Sequence, residues 1–589
     1  MEYKAPLRDI HFVSRELLDS DTHYATLRSC EQLSPDLLDA VLENAAKFAE
    51  NVVAPLNRIG DEEGCSFADG RVTTPDGFKE AFRQYADDGW QALSTPEANG
   101  GQGLPASCSA MVAEMMGSAN YAWTMIGGLA QAPISLLLAA GTIEQKAEYL
   151  PKLLSGEWAG TMCLTEPHCG SDVGLLRTSA RSNDEGSYTI TGTKIFISGG
   201  EQDITENIIH TVLARVEGAP QGTKGISLFI VPKIIDGVAN SLGCGSIEKK
   251  MGLKGSPTCV MNFDGATGFL LGEENRGLVI MFELLNSARL GTALQGVSMG
   301  ESSFQGALAY ARERLQMRSL TGTKNPDGPA DPIIVHPDVR RMLMTQKALT
   351  EGSRAFVYWL AQLVDTARYG AEDDSQPADE LLSLLTPVAK AFCTEAACEV
   401  TNLGMQVLGG HGYISDNGME QLVRDTRIAT VYEGTTGIQA LDLLGRKVLG
   451  SHGRLLLPFT KTIHKFCEAN ADDVALTEFT TPLALVNKEW GDLTKQIGMR
   501  AMQNPDEIGA AAVDYTMFSG YVALAWMWAR TAQIALRHAE THDSEAFYAM
   551  KLAVARFYFA RILPRTSAHA KAALAGAETL MSIGEGSFS

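Results

Sequence analysis

The residue best suited to do chemistry in this chain is Glu433, within the nonapeptide VYEGTTGIQ at positions 431–439. It ends the apolar run 428–432 and precedes a segment in which Ile438, Leu441, Leu444 and Val448 recur at roughly helical spacing on one face. Thr436 and Gln439, three residues apart, predict a capping box at the start of that helix. Burial would raise the pKa of this carboxyl group, whereas the positive end of the helix would lower it. Such a group can act as a general base, although taken alone a stabilising charge at a helix start is the simpler interpretation.

A second segment, LTEPHCGSD at residues 164–172, concentrates hydroxyl groups and backbone donors. A turn-rich loop of this kind can bind a phosphate or a ring carbonyl, and a capped turn is an equally good interpretation. The sequence has no GxGxxG opening a βαβ unit and no GxxxxGK[ST] motif. Neither standard nucleotide-binding loop is therefore available.

The elements that must position these residues change character along the chain. Helical patterns dominate residues 1–158, and short β-type runs over 159–277 predict an antiparallel sheet or barrel. Helical patterns return over 278–450, enough for a four-helix bundle, and continue over 451–589 as an appendage. The uncharged stretch 118–143 is long enough to span a membrane, but its glycine pair, Gln131 and Pro133 favour two buried helices joined by a turn.

The amino-acid composition limits which binding partners and which cellular compartment are expected for this protein. The 589 residues are 45% hydrophobic and 20% charged, which is typical of a globular protein with three or four domains. A net charge of -21 argues against nucleic acid and against a polybasic membrane anchor. The ten cysteines show no CxxC pair and no metal-ligand spacing, which predicts reduced thiols, no structural zinc and a cytoplasmic protein. No signal peptide or membrane insertion is predicted.

Five motifs, in this order, resemble those of the acyl-CoA dehydrogenase family: TEPHCGSD, GTKIFISGG, EKKMGLKGS, QVLGGHGY and RDTRIATVYEGTTGIQ. The start of the chain, the segment PADPIIVHPDVRRML and the long appendage resemble an extended subfamily that includes 3-(methylthio)propanoyl-CoA dehydrogenases. The resemblance implies an α+β, mainly α fold. Its domains would be a helical N-terminal domain (1–158), a β-barrel domain (159–277), a bundle with the catalytic base (278–450) and a C-terminal helical extension (451–589), with FAD between barrel and bundle.

The resemblance also implies the role of each site residue. Glu433 would be the catalytic base; the other position that carries the base in some relatives is Ala288 here, which has no acidic group. Acyl-CoA contacts are implied for Ser171, Arg289, Tyr432 and Gly434. FAD contacts are implied for Leu164, Thr165, Gly170, Ser171, Phe196, Ser198, Gln316 and Thr435. Arg314, Gln406 and Gly410 resemble residues that reach the FAD of a neighbouring subunit, which implies at least a homodimer.

The implied reaction is the FAD-dependent oxidation of an acyl-CoA to its trans-2-enoyl-CoA, with electrons passed to an electron-transfer flavoprotein. The expected substrate is 3-(methylthio)propanoyl-CoA. The alternatives are a medium- or long-chain fatty acyl-CoA dehydrogenase, an acyl-CoA oxidase and a DNA-binding homologue. The roles of three groups of side chains stay open. His168 is either a surface residue or a CoA contact, and Lys249, Lys250 and Lys254 form either a solvated patch or a charged surface that guides CoA. Tyr121, Trp123 and Met125 either line the acyl pocket or belong to the core.

Overall fold

The computed structural model describes residues 2–28, 30, 33–539 and 545–589. The α-helices are α1 Leu7–His11, α2 Ser20–Ala25, α3 Pro35–Phe48, α4 Leu56–Glu63, α5 Phe78–Asp87, α6 Ala106–Leu129, α7 Gln131–Ala140, α8 Ile143–Leu154, α9 Gly277–Glu313, α10 Pro337–Tyr369, α11 Glu372–Leu408, α12 Met419–Arg427, α13 Thr436–Leu441, α14 Leu457–Ala469, α15 Thr477–Ala501, α16 Asp506–Ala539, α17 Glu545–Phe557, α18 Thr566–Ala573 and α19 Glu578–Met581. The strands are β1 Ser66–Ala68, β2 Arg71–Thr73, β3 Trp158–Cys163, β4 Ser179–Ser182, β5 Tyr188–Ser198, β6 Asn207–Val216, β7 Ile226–Pro232, β8 Ile234–Ile235, β9 Val238–Ala239, β10 Leu242–Ile247 and β11 Thr258–Leu270. The predicted mainly α, α+β fold is confirmed.

Packing divides the chain into two compact units. The first comprises the described parts of 1–42, 105–114 and 289–589, and the second comprises 43–104 and 115–288. The division into four domains with boundaries at 158, 277 and 450 stays a prediction.

The second unit contains a closed barrel. Strands β11, β5, β4, β6 and β7 pair in that order, and β7 returns to pair with β11, so the ring closes. The prediction of an antiparallel sheet is only partly right, because β3 and β4 both run parallel to β6. Strand β6 is buried along most of its length, since the barrel interior covers one face and helices α7 and α8 cover the other. A continuous apolar run is the sequence pattern expected of such a doubly covered strand.

The stretch 118–143 folds as predicted into helical segments with a break. Helix α6 ends at Leu129 and α7 begins at Gln131, and α6 itself departs from helical geometry at Asn120. By length and composition alone, four stretches within the described residues could cross a membrane: Ala106–Ala140, Gly277–Glu313, Glu372–Tyr413 and Asp506–His538. The expectation that the chain does not insert into a membrane stays a prediction.

In the first unit the C-terminal appendage packs directly on the bundle helices. Helix α16 lies so close to α11 that a Cβ on Gly520 would stand 2.2 Å from the Phe392 ring. Against α10, the Trp528 indole nitrogen donates to the Ala348 carbonyl at 3.0 Å, and Gly352 leaves room for the indole. The appendage is therefore part of the bundle core rather than a separate module.

A buried ion cluster joins the most distant parts of the first unit. The guanidinium of Arg354, 0% exposed, donates to Glu114 at 2.5 and 2.8 Å, to Glu301 at 2.7 Å and to Asp9. Burial nevertheless raises the pKa of Glu114, against the lowering effect of Arg354. A buried carboxylate without its cation would be costly, so these groups depend on one another.

Lys551 completes the cluster from the C-terminal appendage. Its ammonium group donates to Glu351 at 2.9 Å and to Asp9 near the N-terminus, and it is 3% exposed. Burial alone would raise the pKa of Asp9, but Lys551 and Arg354 hold it well below its usual value. The two ends of the chain thus share one set of buried charges.

We expect Lys551→Met to lower the free energy of unfolding by about 3–5 kcal/mol, because Asp9 and Glu351 would stay buried without this cation. Urea unfolding followed by far-UV circular dichroism measures the loss. Lys488→Met, on the exposed side of α15, is the matched control and should change stability by less than about 0.5 kcal/mol. Equal effects of the two substitutions would contradict this account of the cluster.

Candidate active site

Glu433 lies in a tight loop between two helices. After α12 the short turn Ile428–Thr430 leads into the loop, where Glu433 and Gly434 both take positive φ angles of 55° and 88°. A non-glycine residue in this left-handed region is uncommon and clusters at functional sites. The chain therefore turns sharply at Glu433, between the two helices.

The predicted capping box at Thr436 is wrong by one residue. Because the chain turns at Glu433 and Gly434, the extended residue before α13 is Thr435, whose hydroxyl oxygen accepts from the Ile438 N–H at 3.3 Å. Thr436 is already helical, and its hydroxyl donates to Glu395 at 2.6 Å. The cap exists, but it is formed by the preceding threonine.

The predicted apolar face of this helix is also only partly right. Leu444 and Val448 are fully buried, whereas Ile438 and Leu441 are 37% and 44% exposed. The helix passes into a π-helical turn at Asp442–Leu449, and the wider spacing of that turn shifts the buried face. Regular α-helical spacing could not anticipate the shift.

Two buried side chains hold the loop by its carbonyl groups. The Gln439 amide donates to the Glu433 carbonyl at 2.8 Å, and the Lys390 ammonium donates to the Gly434 carbonyl at 2.6 Å. Both side chains are 0% exposed. A Cβ at position 434 would lie 2.4 Å from the Gln439 amide nitrogen, so the loop requires glycine there. Beside Glu433, the Tyr432 hydroxyl donates to buried Gln295.

The Glu433 carboxyl group is desolvated, and burial raises its pKa, against the lowering effect of Arg289 and Lys390. Within the described part of the chain, the carboxylate accepts no hydrogen bond and forms no ion pair within 4.0 Å. The backbone N–H of Glu433 likewise donates to no atom of the described residues. A carboxylate and an N–H without internal partners can both be used on a substrate.

Arg289 supplies positive charge near Glu433 and is itself anchored. Its guanidinium donates to Asp442 at 3.3 Å, while its Nε is buried without a hydrogen-bond partner among the described residues. Burial lowers the pKa of Arg289, and Asp442 opposes that effect. An arginine with a spare buried donor fits an anionic or carbonyl-bearing ligand.

In the second unit, a buried ion pair fixes the loop 164–172. Lys194, 0% exposed, donates to the Leu164 carbonyl at 3.0 Å and to Glu166 at 2.8 Å. Glu166 also accepts from the Arg177 N–H and from the N–H and hydroxyl of Thr178, at 2.6–3.0 Å. Burial would raise the pKa of Glu166, but Lys194 and these donors hold it below its usual value. The loop is thereby held in one conformation.

The predicted FAD contacts of this unit lie close to the Lys194–Glu166 ion pair. Ile195 donates from its backbone to the Thr165 carbonyl at 2.9 Å, which places the loop beside the end of β5. Gly170 and Ser171 are exposed, Leu164, Thr165 and Ser198 are half-buried, and Phe196 is 59% exposed with a φ of 59°. Hydroxyl groups, exposed backbone and a presented aromatic ring fit a flat heterocycle with carbonyl oxygens and ring nitrogens.

The remaining predicted cofactor residues belong to the first unit. The Tyr310 hydroxyl and the His411 ring nitrogen lie 3.1 Å apart, which brings the end of α9 next to the turn Gly409–Tyr413. All four predicted contacts in this region are exposed: Arg314, Gln316, Gln406 and Gly410. Their exposure suits binding to another molecule or subunit, and their role toward FAD stays a prediction.

The basic residues and His168 are already engaged within the chain. The His168 ring lies 3.0 Å from the Leu175 carbonyl, Lys250 donates to two backbone carbonyls, and Lys254 lies 3.5 Å from Asp61. Glu166, His168 and Cys169 could together approach a metal ion, but Glu166 is fully used by Lys194 and backbone donors. Only Lys249 of the basic group is exposed without such a bond in the described structure.

The aromatic candidates for the acyl pocket separate into two kinds. Trp123 is a core residue, 2% exposed, whose indole donates to the Phe78 carbonyl at 3.3 Å. Tyr121 and Met125 are half-buried. A lining role therefore stays open for Tyr121 and Met125 alone.

Sequence reasoning missed the residues that hold the site. Lys194, Glu166, Lys390 and Asp442 had no predicted role, and Gln439 was predicted only as part of a capping box. One signal was present: Lys390 interrupts the apolar stretch PVAKAFC. A lone lysine in an apolar helix is buried or reaches out of the core, and sequence alone does not distinguish the two.

We expect Lys194→Met to lower the free energy of unfolding by about 3–5 kcal/mol, because Glu166 would stay buried without its cation. Amide hydrogen exchange over 164–172 should accelerate at the same time. The double substitution Lys194→Met with Glu166→Gln should cost less than the sum of the two single ones. Lys249→Met, at an exposed position, is the control. If the losses in unfolding free energy of the two single substitutions add up strictly in the double substitution, Lys194 and Glu166 are not a coupled pair.

Comparison with known proteins covers nearly the whole chain. Four family models match in order: Acyl-CoA dehydrogenase, N-terminal domain, at residues 36–157; Acyl-CoA dehydrogenase, middle domain, at 161–266; Acyl-CoA dehydrogenase, C-terminal domain, at 275–449; and Acetyl-CoA dehydrogenase C-terminal like, at 459–584.

Two curated relatives match over nearly their full length. The 3-methylmercaptopropionyl-CoA dehydrogenase of Ruegeria pomeroyi is 41% identical, over 96% of this chain and 97% of the relative. The broad-specificity linear acyl-CoA dehydrogenase of Mycobacterium tuberculosis is 34% identical, over 95% and 96%. Among solved structures, an acyl-CoA dehydrogenase complexed with FAD from Bacillus anthracis aligns with a TM-score of 0.76 and 22% identity, over 94% of this chain and 90% of that one.

Proposed function

The chain belongs to the acyl-CoA dehydrogenase family, and on that premise we propose that its substrate is 3-(methylthio)propanoyl-CoA, oxidised to 3-(methylthio)acryloyl-CoA. As a family member it is an FAD-dependent oxidoreductase that acts on acyl-CoA thioesters. The Ruegeria relative supports the specific acyl group, since methylmercapto and methylthio both name CH3–S–. The observation that carries the reaction is the desolvated, unpaired carboxylate of Glu433.

Glu433 takes the proton from the α-carbon of the thioester. Burial raises the pKa of its carboxyl group, which strengthens it as a base, while Arg289 and Lys390 limit the rise. The bonding pair of that C–H bond moves into the new α,β double bond as a hydride leaves the β-carbon. When bound, FAD supplies the redox chemistry by accepting that hydride.

The backbone of the same loop can stabilise the charge that develops on the thioester oxygen. The Glu433 N–H has no acceptor among the described residues and is therefore available to this oxygen, as in an oxyanion hole. The bond from Gln439 to the Glu433 carbonyl and the bond from Lys390 to the Gly434 carbonyl keep that peptide in place. A donor fixed before the reaction needs no reorganisation during it.

We expect Glu433→Gln to lower the rate of flavin bleaching by acyl-CoA at least about 1,000-fold, because the amide cannot accept the α-proton. FAD content and acyl-CoA binding should persist, as measured by absorbance and calorimetry. Glu399→Gln is the matched control: it lies on α11, pairs with Arg565 and should bleach at the normal rate. Bleaching by the Glu433 variant near the wild-type rate would remove Glu433 as the base.

Substrate preference is tested by kcat/KM across short, long and sulfur-containing acyl-CoAs. We expect kcat/KM to be about 10-fold or more higher for 3-(methylthio)propanoyl-CoA than for octanoyl-CoA and palmitoyl-CoA, because a pocket of fixed size discriminates between added methylene groups by factors of this order. Equal rates over all linear chains would instead favour the second candidate, a broad fatty acyl-CoA dehydrogenase, which the Mycobacterium relative supports. Rapid peroxide release in air would indicate an oxidase.

The partners and setting follow from the same proposal. The reduced enzyme passes its electrons to an electron-transfer flavoprotein, works in the cytoplasm in degradation of dimethylsulfoniopropionate, and assembles as a homodimer or larger oligomer. Exposed Arg314, Gln406 and Gly410 support the assembly, since their family counterparts reach a neighbouring FAD. Light scattering of the FAD-loaded protein measures the oligomer; a monomer that retains full activity would contradict this part.

A further inference from the structure

Lys390 is a buried cation that lacks a carboxylate partner at contact distance. It lies on α11, is 0% exposed, and donates from its ammonium group to the Gly434 carbonyl at 2.6 Å. Within the described residues it forms no ion pair within 4.0 Å. Burying an unpaired ammonium destabilises a fold, so its position next to the base points to a role beyond packing.

The charges around Lys390 come from each element packed against it. Glu433 faces it from the loop, Glu395 lies on its own helix and accepts from Thr436, and Arg289 faces it from α9. Burial lowers the pKa of Lys390 to about 8, against the raising effect of Glu433 and Glu395, while Arg289 adds to the lowering. Below that pH the group carries its charge. Arg289 is itself committed to Asp442 at 3.3 Å, so Lys390 is the cation tied directly to the Glu433 loop.

We propose that Lys390 is a positioning residue for the base: its ammonium fixes the Gly434 carbonyl, and its charge keeps the desolvated Glu433 carboxylate ionised and ready to accept the α-proton. This inference rests on the proposed function, in which Glu433 is the base. Lys390 exchanges no proton with the substrate. It acts on Glu433 through the backbone of the loop and through Coulomb attraction in a site of low dielectric.

The variants separate the charge from the hydrogen bond. Lys390→Met removes both, and Lys390→Gln removes the charge but keeps a donor for the Gly434 carbonyl. Arg530→Met is the matched control, since Arg530 is also a cation of the first unit whose pKa burial lowers, here to about 10, and which donates to a backbone carbonyl, that of Leu17. The pH dependence of flavin bleaching in single turnover is measured for all three and for wild type.

The ascending limb of the pH profile reports the pKa of Glu433, because only the carboxylate accepts the proton. Loss of a nearby positive charge raises a carboxyl pKa, so we expect this limb to move up by about 1 pH unit in both Lys390 variants. The Arg530 variant should move it by less than about 0.3 unit. An unmoved limb in both Lys390 variants would overturn the proposal, as would an equal shift in all three. If the methionine variant does not fold, the glutamine variant carries the test.

A second measurement does not depend on turnover. Infrared titration of the carboxyl band that disappears in Glu433→Gln gives the Glu433 pKa in the FAD-loaded full chain without substrate. The same upward shift is expected in the Lys390 variants, and its absence overturns the inference. If no acyl-CoA bleaches the wild-type flavin, the proposed function fails while this titration still decides the role of Lys390.

Discussion

A half-buried carboxylate without a direct partner among the described residues is the constraint on which the rest of the proposed active site depends. As the proposed base, Glu433 would have to remain ionised to accept a proton, yet desolvation favours its neutral form. The fold meets both demands by placing Arg289 and Lys390 near the carboxylate while anchoring each of them elsewhere, to Asp442 and to the Gly434 carbonyl. Because these two positive charges act on Glu433 without a direct hydrogen bond, its carboxylate oxygens remain available to a substrate. A direct ion pair would have stabilised Glu433 and weakened it as a base.

The same physical logic recurs where no chemistry is performed, with the opposite arrangement. Lys194 and Glu166 are in direct contact, and Glu166 has its acceptor positions filled by backbone and hydroxyl donors. Arg354 is likewise surrounded by carboxylates at hydrogen-bond distance. Saturated buried charges fix conformation, whereas the carboxylate of Glu433, which has no direct partner among the described residues, keeps the free acceptor positions that the proposed reaction needs.

The sequence was sufficient for patterns that depend on neighbouring residues. The strand β5 and the long helices α10 and α11 follow from periodicity, and the five motifs indicated the family to which the chain belongs. The sequence was insufficient where the local structure depends on contacts with distant segments of the chain. The parallel pairing of β3 and β4 with β6, the cap at Thr435 instead of Thr436, and the shifted face beyond Asp442 all depend on how the chain turns in space. For the same reason, Lys390 could not be recognised as a neighbour of a residue 43 positions later.

The ion cluster of the first unit also sets an order of events during synthesis. Asp9 leaves the ribosome 542 residues before its partner Lys551. At about 5–20 residues per second, roughly half a minute to two minutes separate the two. Throughout that interval the acidic groups of the cluster lack one of their cations, so the nascent bundle cannot reach its final packing. Completion of this unit therefore waits for the synthesis of Lys551, and until then an unfinished apolar surface must be kept from other chains.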